Sequence, residues 1–210
     1  TKETAEILQG MIRHIVYQSN GDTATDTASE SMVRCGRGYV RVLTEYADDA
    51  SFEQEITIKR VPNPHLIYLD PASTEPDGSD AEWAFVAVDM TREAYRQEFP
   101  NSKMAGMDKG EWESVGDALP DWAGQDGKGL RICEYFKRVR VPVKLALLED
   151  GTTVKKSEVP EGVLIVDERD GFETKVLWFK LNGIEVLDKT EWPGRYIPIV
   201  PFYGNEITVD

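Results

Sequence analysis

Gly38-Tyr-Val-Arg-Val-Leu-Thr-Glu-Tyr46 is where the chain changes character. Before it, apolar residues recur at helical spacing. After it, β-branched and aromatic residues alternate with charged ones, as in strands with one buried face. Working back, Glu3 to Asn20 predicts a helix with Ile7, Leu8, Met11, Ile12, Ile15 and Val16 on one stripe. Asn20-Gly21 breaks it, and Asp22 is the expected N-cap of a second helix running to Cys35, which Gly36 and Gly38 end. A link this short predicts a helical hairpin.

Working forward, Phe52 to Val61 predicts a strand antiparallel to residues 39–46, and His65 to Leu69 a short one. Asp70 to Asp80 reads as a surface loop. Its acids Asp70, Glu75, Asp77 and Asp80 do not have EF-hand spacing, so calcium is not expected there. Trp83 to Met90 is apolar on both faces and predicts a central strand. Thr91 caps a short helix ending near Phe99-Pro100.

Residues 101–129 are punctuated by glycines and read as a connecting loop, docked by Trp112 and Trp122, between a lobe over 1–100 and a β-rich lobe over 130–210. In the second lobe, Leu130 to Val141 and Val143 to Glu149 are expected as two strands parted by a bend or edge at Pro142. Asp150-Gly151 predicts a hairpin turn into Thr152 to Lys155, and Pro160 to Gly162 another turn. Glu173 to Leu181 and Ile184 to Asp188 form a hairpin about Asn182-Gly183. Tyr196 to Tyr203 is expected to be extended but poorly paired because of its prolines. The fold class is therefore α+β: a helical hairpin, mostly antiparallel strands with a short helix, then a β-rich second half.

The 210 residues are 40% hydrophobic and 10% aromatic, enough for a real core. The formal net charge of -14, from 38 acids against 24 bases, argues against a broad nucleic-acid grip. Cys35 and Cys133 are expected to be buried free thiols. No apolar run is long enough for a membrane span. The start at Thr1, without Met, and the end at Asp210 suggest a piece of a larger protein.

Catalytic chemistry is not called for by the residue pattern. His14 and His65 are the two histidines, and neither has a nucleophile motif nearby. A glycosidase-like carboxylate beside Trp112, Trp122 and Asp121 has only composition in its favour. No catalytic, cofactor-binding or metal-binding residues are assigned, and no cofactor is expected. One local basic cluster stands out: Lys128, Arg131, Lys137, Arg138, Arg140 and Lys144. Arg138 and Arg140 share a strand face and Lys137 points the other way. Arg131, Lys137, Arg138, Arg140 and Lys144 are candidate contacts for DNA or an acidic partner; a solvated strand face balancing nearby acids is the plainer alternative.

Several segments, in order, resemble the portal proteins of short-tailed, P-twenty-two-type bacteriophages. These are Ala5-Glu-Ile-Leu-Gln-Gly-Met-Ile-Arg-His14, the Gly38 to Tyr46 strand, Pro64-His-Leu-Ile-Tyr-Leu-Asp-Pro71, Ala81 to Pro100, Leu130-Arg-Ile-Cys-Glu-Tyr-Phe136, and Tyr196-Ile-Pro-Ile-Val-Pro-Phe-Tyr-Gly204. The middle, 101–129, and residues 159–170 match poorly. The resemblance implies a non-enzymatic subunit of a ring, usually dodecameric, at one capsid vertex, through which double-stranded DNA enters and leaves. It implies other portal subunits, terminase, coat, scaffolding, head-completion and tail proteins as partners. It implies a place in the virion, with assembly in the host cytoplasm and no membrane. The chain would correspond mainly to the outer wing. An interaction or adhesion module of phage or bacterial origin remains the alternative reading.

Overall fold

A computed structural model describes residues 1–48, 50–106, 130–160 and 162–204. The helical hairpin is present as α1 (Lys2–Gln18) and α2 (Gly21–Cys35). The Thr1 hydroxyl accepts from the Thr4 N–H and starts α1. Asn20, not the expected Asp22, is the N-cap of α2. It sits in the left-handed region (φ 51°), which Asn tolerates, and turns the chain before a polar cap could form. Asp22 falls in the first turn, where its charge suits the helix dipole. Gly36 (φ 80°) ends α2 by donating to the Met32 carbonyl at 2.8 Å.

β1 (Arg37–Tyr46) then pairs antiparallel with β2 (Gln54–Arg60), Val42 facing Ile58. The other side of β1 takes the last strand of the chain, β9 (Ile199–Tyr203), which corrects the expectation that this segment is poorly paired. The prolines fit because of which way they face. Val42 donates to the Pro198 carbonyl at 3.0 Å, so by the antiparallel alternation the Pro201 nitrogen turns to the outer edge, where no donor is needed.

The second sheet has the order β3-β4-β5-β7-β8, with β6 on β5, and its pairings are antiparallel. β3 is Ile67–Leu69, preceded by a 3-10 turn at Pro64–Leu66 where a strand was expected from His65. β4 (Trp83–Met90) lies between β3 and β5, central as expected. β5 runs unbroken over Leu130–Leu148. Pro142 does not divide it, because between residues 138 and 144 β5 pairs on one side only, with β7, and a missing donor on the free side costs nothing. β6 is Thr153–Lys155, β7 Ile165–Leu181 and β8 Val186–Trp192. The short helix α3 (Arg92–Glu98) follows β4, capped by Thr91 as expected.

The result is three layers: helices, three-stranded sheet, six-stranded sheet. Ala24 and Ala28 of α2 are buried on the first sheet. The core between the sheets joins Tyr39, Ile197 and Ile199 to Ile67, Ala84, Val86, Phe136 and Val176. A second cluster (Tyr95, Met104, Leu130 and Ile132) sits under α3. There, buried Asn182 donates to the Tyr95 hydroxyl at 2.8 Å and accepts from the Ile184 and Glu185 N–H groups, fixing the β7–β8 turn.

Both sheets take strands from either side of residues 101–129: β4 pairs with β5, and β1 with β9. Residues 107–129, with Trp112, Asp121, Trp122 and Lys128, lie outside the described residues. Cys35 is exposed, against expectation, because it sits on the last turn of α2 away from the sheet; Cys133 is buried, and burial pushes its thiol up.

Beyond residue 138, β5 and β7 leave the sheet as a two-stranded arm, joined by β6 near its tip. Gly171 lies on it opposite Val143, where a Cβ would press on the Leu145 side chain.

Candidate functional site

The predicted basic residues all lie on β5, and alternation divides them. Arg131 and Lys137 are on one face; Arg138, Arg140 and Lys144 are on the core-facing side with Ile132, Glu134 and Phe136. Three of the five already have partners within the chain. Arg131 grips Asp89, its cross-strand neighbour, with Nε to Oδ1 at 2.7 Å and Nη2 to Oδ2 at 3.2 Å. Arg138 donates from Nη1 to the Ser79 carbonyl at 3.0 Å, tying the 70–80 loop to β5. Arg140 stands 3.8 Å from Glu82, with both side chains largely exposed. Lys137 and Lys144 are exposed and make no salt bridge among the described residues. Among the described residues the five candidates are divided between two faces of β5.

Sequence reasoning missed two features. The first is polar and internal. Arg41 on β1 donates from Nη2 to Glu134 Oε2 at 2.8 Å, and Trp178 Nε1 donates to the same oxygen at 3.1 Å. The side chains of Arg41 and Glu134 are only 13% and 19% exposed, so this carboxylate joins the two sheets inside the protein. Only the register reveals it, since Arg41 and Glu134 look like ordinary strand-face charges in the sequence. The second is Phe172. It lies opposite Pro142 on the arm, between Arg140 and Lys144 on the same face, and is 73% exposed. The sequence reading assigns it to no element, since its strand was expected to begin at Glu173.

The acidic loop binds itself. Asp70 accepts from the Ala72 and Glu82 N–H groups. Asp80 accepts from the Ser73 hydroxyl at 2.5 Å, the Thr74 N–H at 2.7 Å and the Glu75 N–H at 3.3 Å. Among the described residues no three His, Cys, Asp or Glu side chains converge as a metal site. The Ser73 hydroxyl and then the Thr74 amide hold the Asp80 carboxyl well below its ordinary value of 3.8. A depressed carboxyl contributes stability that is complete above 3.8 and is lost as pH falls below it. The Thr74 amide proton resonance, followed during acid titration, is expected to hold its position from pH 7 down to 3.8 and to move only below that. A shift centred at or above 3.8 would show that these bonds are absent in solution.

His14 and His65 are both exposed and stand on separate elements, α1 and the turn before β3. An open groove of about 330 Å³ beside β4 has an aliphatic lining apart from Arg41, Arg60, Asn63 and Asp89. No helix among the described residues is long and apolar enough to cross a membrane.

What this geometry offers is surface for contact: a projecting arm, an exposed helix and arginines tied into local contacts. The chain belongs to the phage P22-like portal protein family, whose sequence model matches residues 1–210. It is 24% identical over 227 residues to a protein named "Portal protein" from Acyrthosiphon pisum secondary endosymbiont phage 1. That alignment covers 98% of this chain and 30% of the relative, so the chain spans under a third of the length of the curated relative it matches.

Proposed function

We propose that this chain is the wing part of a portal subunit, a non-enzymatic component of the ring that forms the DNA channel at one capsid vertex. The family match over the whole chain carries this reading. In it, the protein works in the virion after assembly in the host cytoplasm. Its partners are other copies of itself, terminase, coat and scaffolding proteins, and head-completion and tail proteins. Double-stranded DNA passes without sequence-specific binding. The net charge of -14 supports that passage, because a surface rich in carboxylates releases few counterions from DNA and does not hold it. Arg131, Lys137, Arg138, Arg140 and Lys144 serve in this reading as protein contacts, since the arginines are already engaged with carboxylates or carbonyls.

The test is direct imaging. Electron micrographs of the full-length protein that contains this chain are expected to show closed rings with a central channel. Particles that stay single subunits at every concentration would overturn the reading.

A further inference from the structure

Two apolar surfaces of this chain have no cover among the described residues. The first is α1. None of its residues is buried, and Ile7, Leu8, Met11 and Ile12 are 64%, 52%, 56% and 61% exposed. Their spacing puts them on one stripe. Ile15 and Val16, one turn on, are the part of the stripe that meets the body. A contiguous stripe of this kind on a folded protein marks a contact surface. Glu3 and Glu6 stand beside its N-terminal end, and the Lys2–Glu6 pair at 3.7 Å is too exposed to hold them. Gly10, beside Ile7 on the helix surface, has nothing within 4 Å of where a Cβ would be, so this side of the helix is open.

The second surface is the arm. Phe172 is exposed next to Pro142, with Arg140 and Lys144 on either side of it. Lys144 faces Asp170 across the ribbon, and Arg140 has Glu82 no nearer than 3.8 Å. A ribbon of two strands is marginal by itself in water, so a long arm like this gains from a partner. The partner that fits carries apolar side chains to meet the ring and carboxylates to meet the two cations. α1 has that composition, and within one chain it packs on α2 and β2.

We propose that the arm of one copy seats on α1 of a second copy, head to tail. Phe172 meets the stripe of Ile7, Leu8, Met11 and Ile12, and Arg140 and Lys144 face Glu3 and Glu6. The contact uses two different patches, so each added copy leaves one arm and one α1 free for the next, as a ring requires. This rests on the ring reading above and names the contact within it.

Phe172→Asp and Leu8→Asp test it, because both positions are exposed and neither change should alter folding, which thermal melts will check. In sedimentation velocity the native chain is expected to gain mass with concentration, and each variant alone to remain a monomer. A one-to-one mixture of the two variants is expected to form a heterodimer and nothing larger, since one supplies α1 and the other the arm. A Phe172→Asp chain that still associates would place the contact on α1 against α1 and overturn the proposal. A photo-cross-linker at position 172 supplies the second measurement. Its cross-links are expected on residues 7–14 of another copy; cross-links elsewhere, or none, overturn the proposal. Full-length Phe172→Asp protein that still makes rings would remove this contact and leave the portal reading standing.

Discussion

Glu134→Ala is expected to lower the stability of the protein by about 3 kcal/mol, read as a fall in the urea midpoint at unchanged slope. The deletion strands two donors together. Arg41 loses its carboxylate in a place where its side chain is 13% exposed, and the Trp178 N–H loses its acceptor. The Arg41 Nε is already buried without a partner, so no second group stands ready to take up the charge. Partial exposure sets the estimate near the lower end of what breaking a buried pair costs. The double variant Arg41→Met, Glu134→Leu is expected to recover most of the loss, because it removes both charges and fills the same space. A single variant within about 0.5 kcal/mol of the native protein would mean that water reaches this pair and that it does not join the sheets.

Gly38→Ala is expected to cost about 3 kcal/mol, and Gly38→Val to prevent folding. A Cβ at residue 38 would overlap the carbonyl oxygen, carbonyl carbon and Cα of Ala28. All three are backbone atoms, so no rotamer change relieves the clash. Either β1 or α2 must move, and both are held, β1 by β2 and β9 on its two sides. Gly36→Ala makes the useful contrast. Its Cβ would meet open space, so it should lose only about 1 kcal/mol for the positive φ of 80°. Thermal unfolding of the pair separates the two effects: a Gly38→Ala melting point equal to that of Gly36→Ala would show that α2 does not press on β1 in solution.

The sequence made some of this legible and hid the rest for identifiable reasons. Helical apolar spacing found α1 and α2, alternation found β1 and β2, an apolar run found β4, and the Thr91 cap with Pro100 found α3. The N-terminal half of β7, Ile165 to Phe172, was not legible. It carries Asp167-Glu168-Arg169-Asp170-Gly171, a charged run with no apolar alternation, yet it is strand because it belongs to the arm, where neither face is buried and no alternation is needed. Pro142 and Pro201 misled in the same way. Proline excludes a strand interior only where a neighbour needs its donor, and both prolines stand on free edges. Cys35 was expected inside because its neighbours are apolar, but the helix turns it out. For the candidate site, residue type and face were readable, while the partners were not. Asp89 lies 42 residues from Arg131, and Ser79 lies 59 residues from Arg138, so only the register of β4 on β5 brings them together.

The pairing of β9 with β1 has a consequence for how the chain reaches its native state. β9 follows β1 only after the other strands of both sheets, so the central strand of the first sheet waits for all of them before its second edge is satisfied. Contacts this distant in sequence make folding slow. Until residues 199–203 leave the ribosome, β1 offers an open edge and the core beneath it lacks Ile197 and Ile199. An unfinished chain is therefore competent for strand exchange with its neighbours on a polysome, at the stage when many identical copies are being made close together.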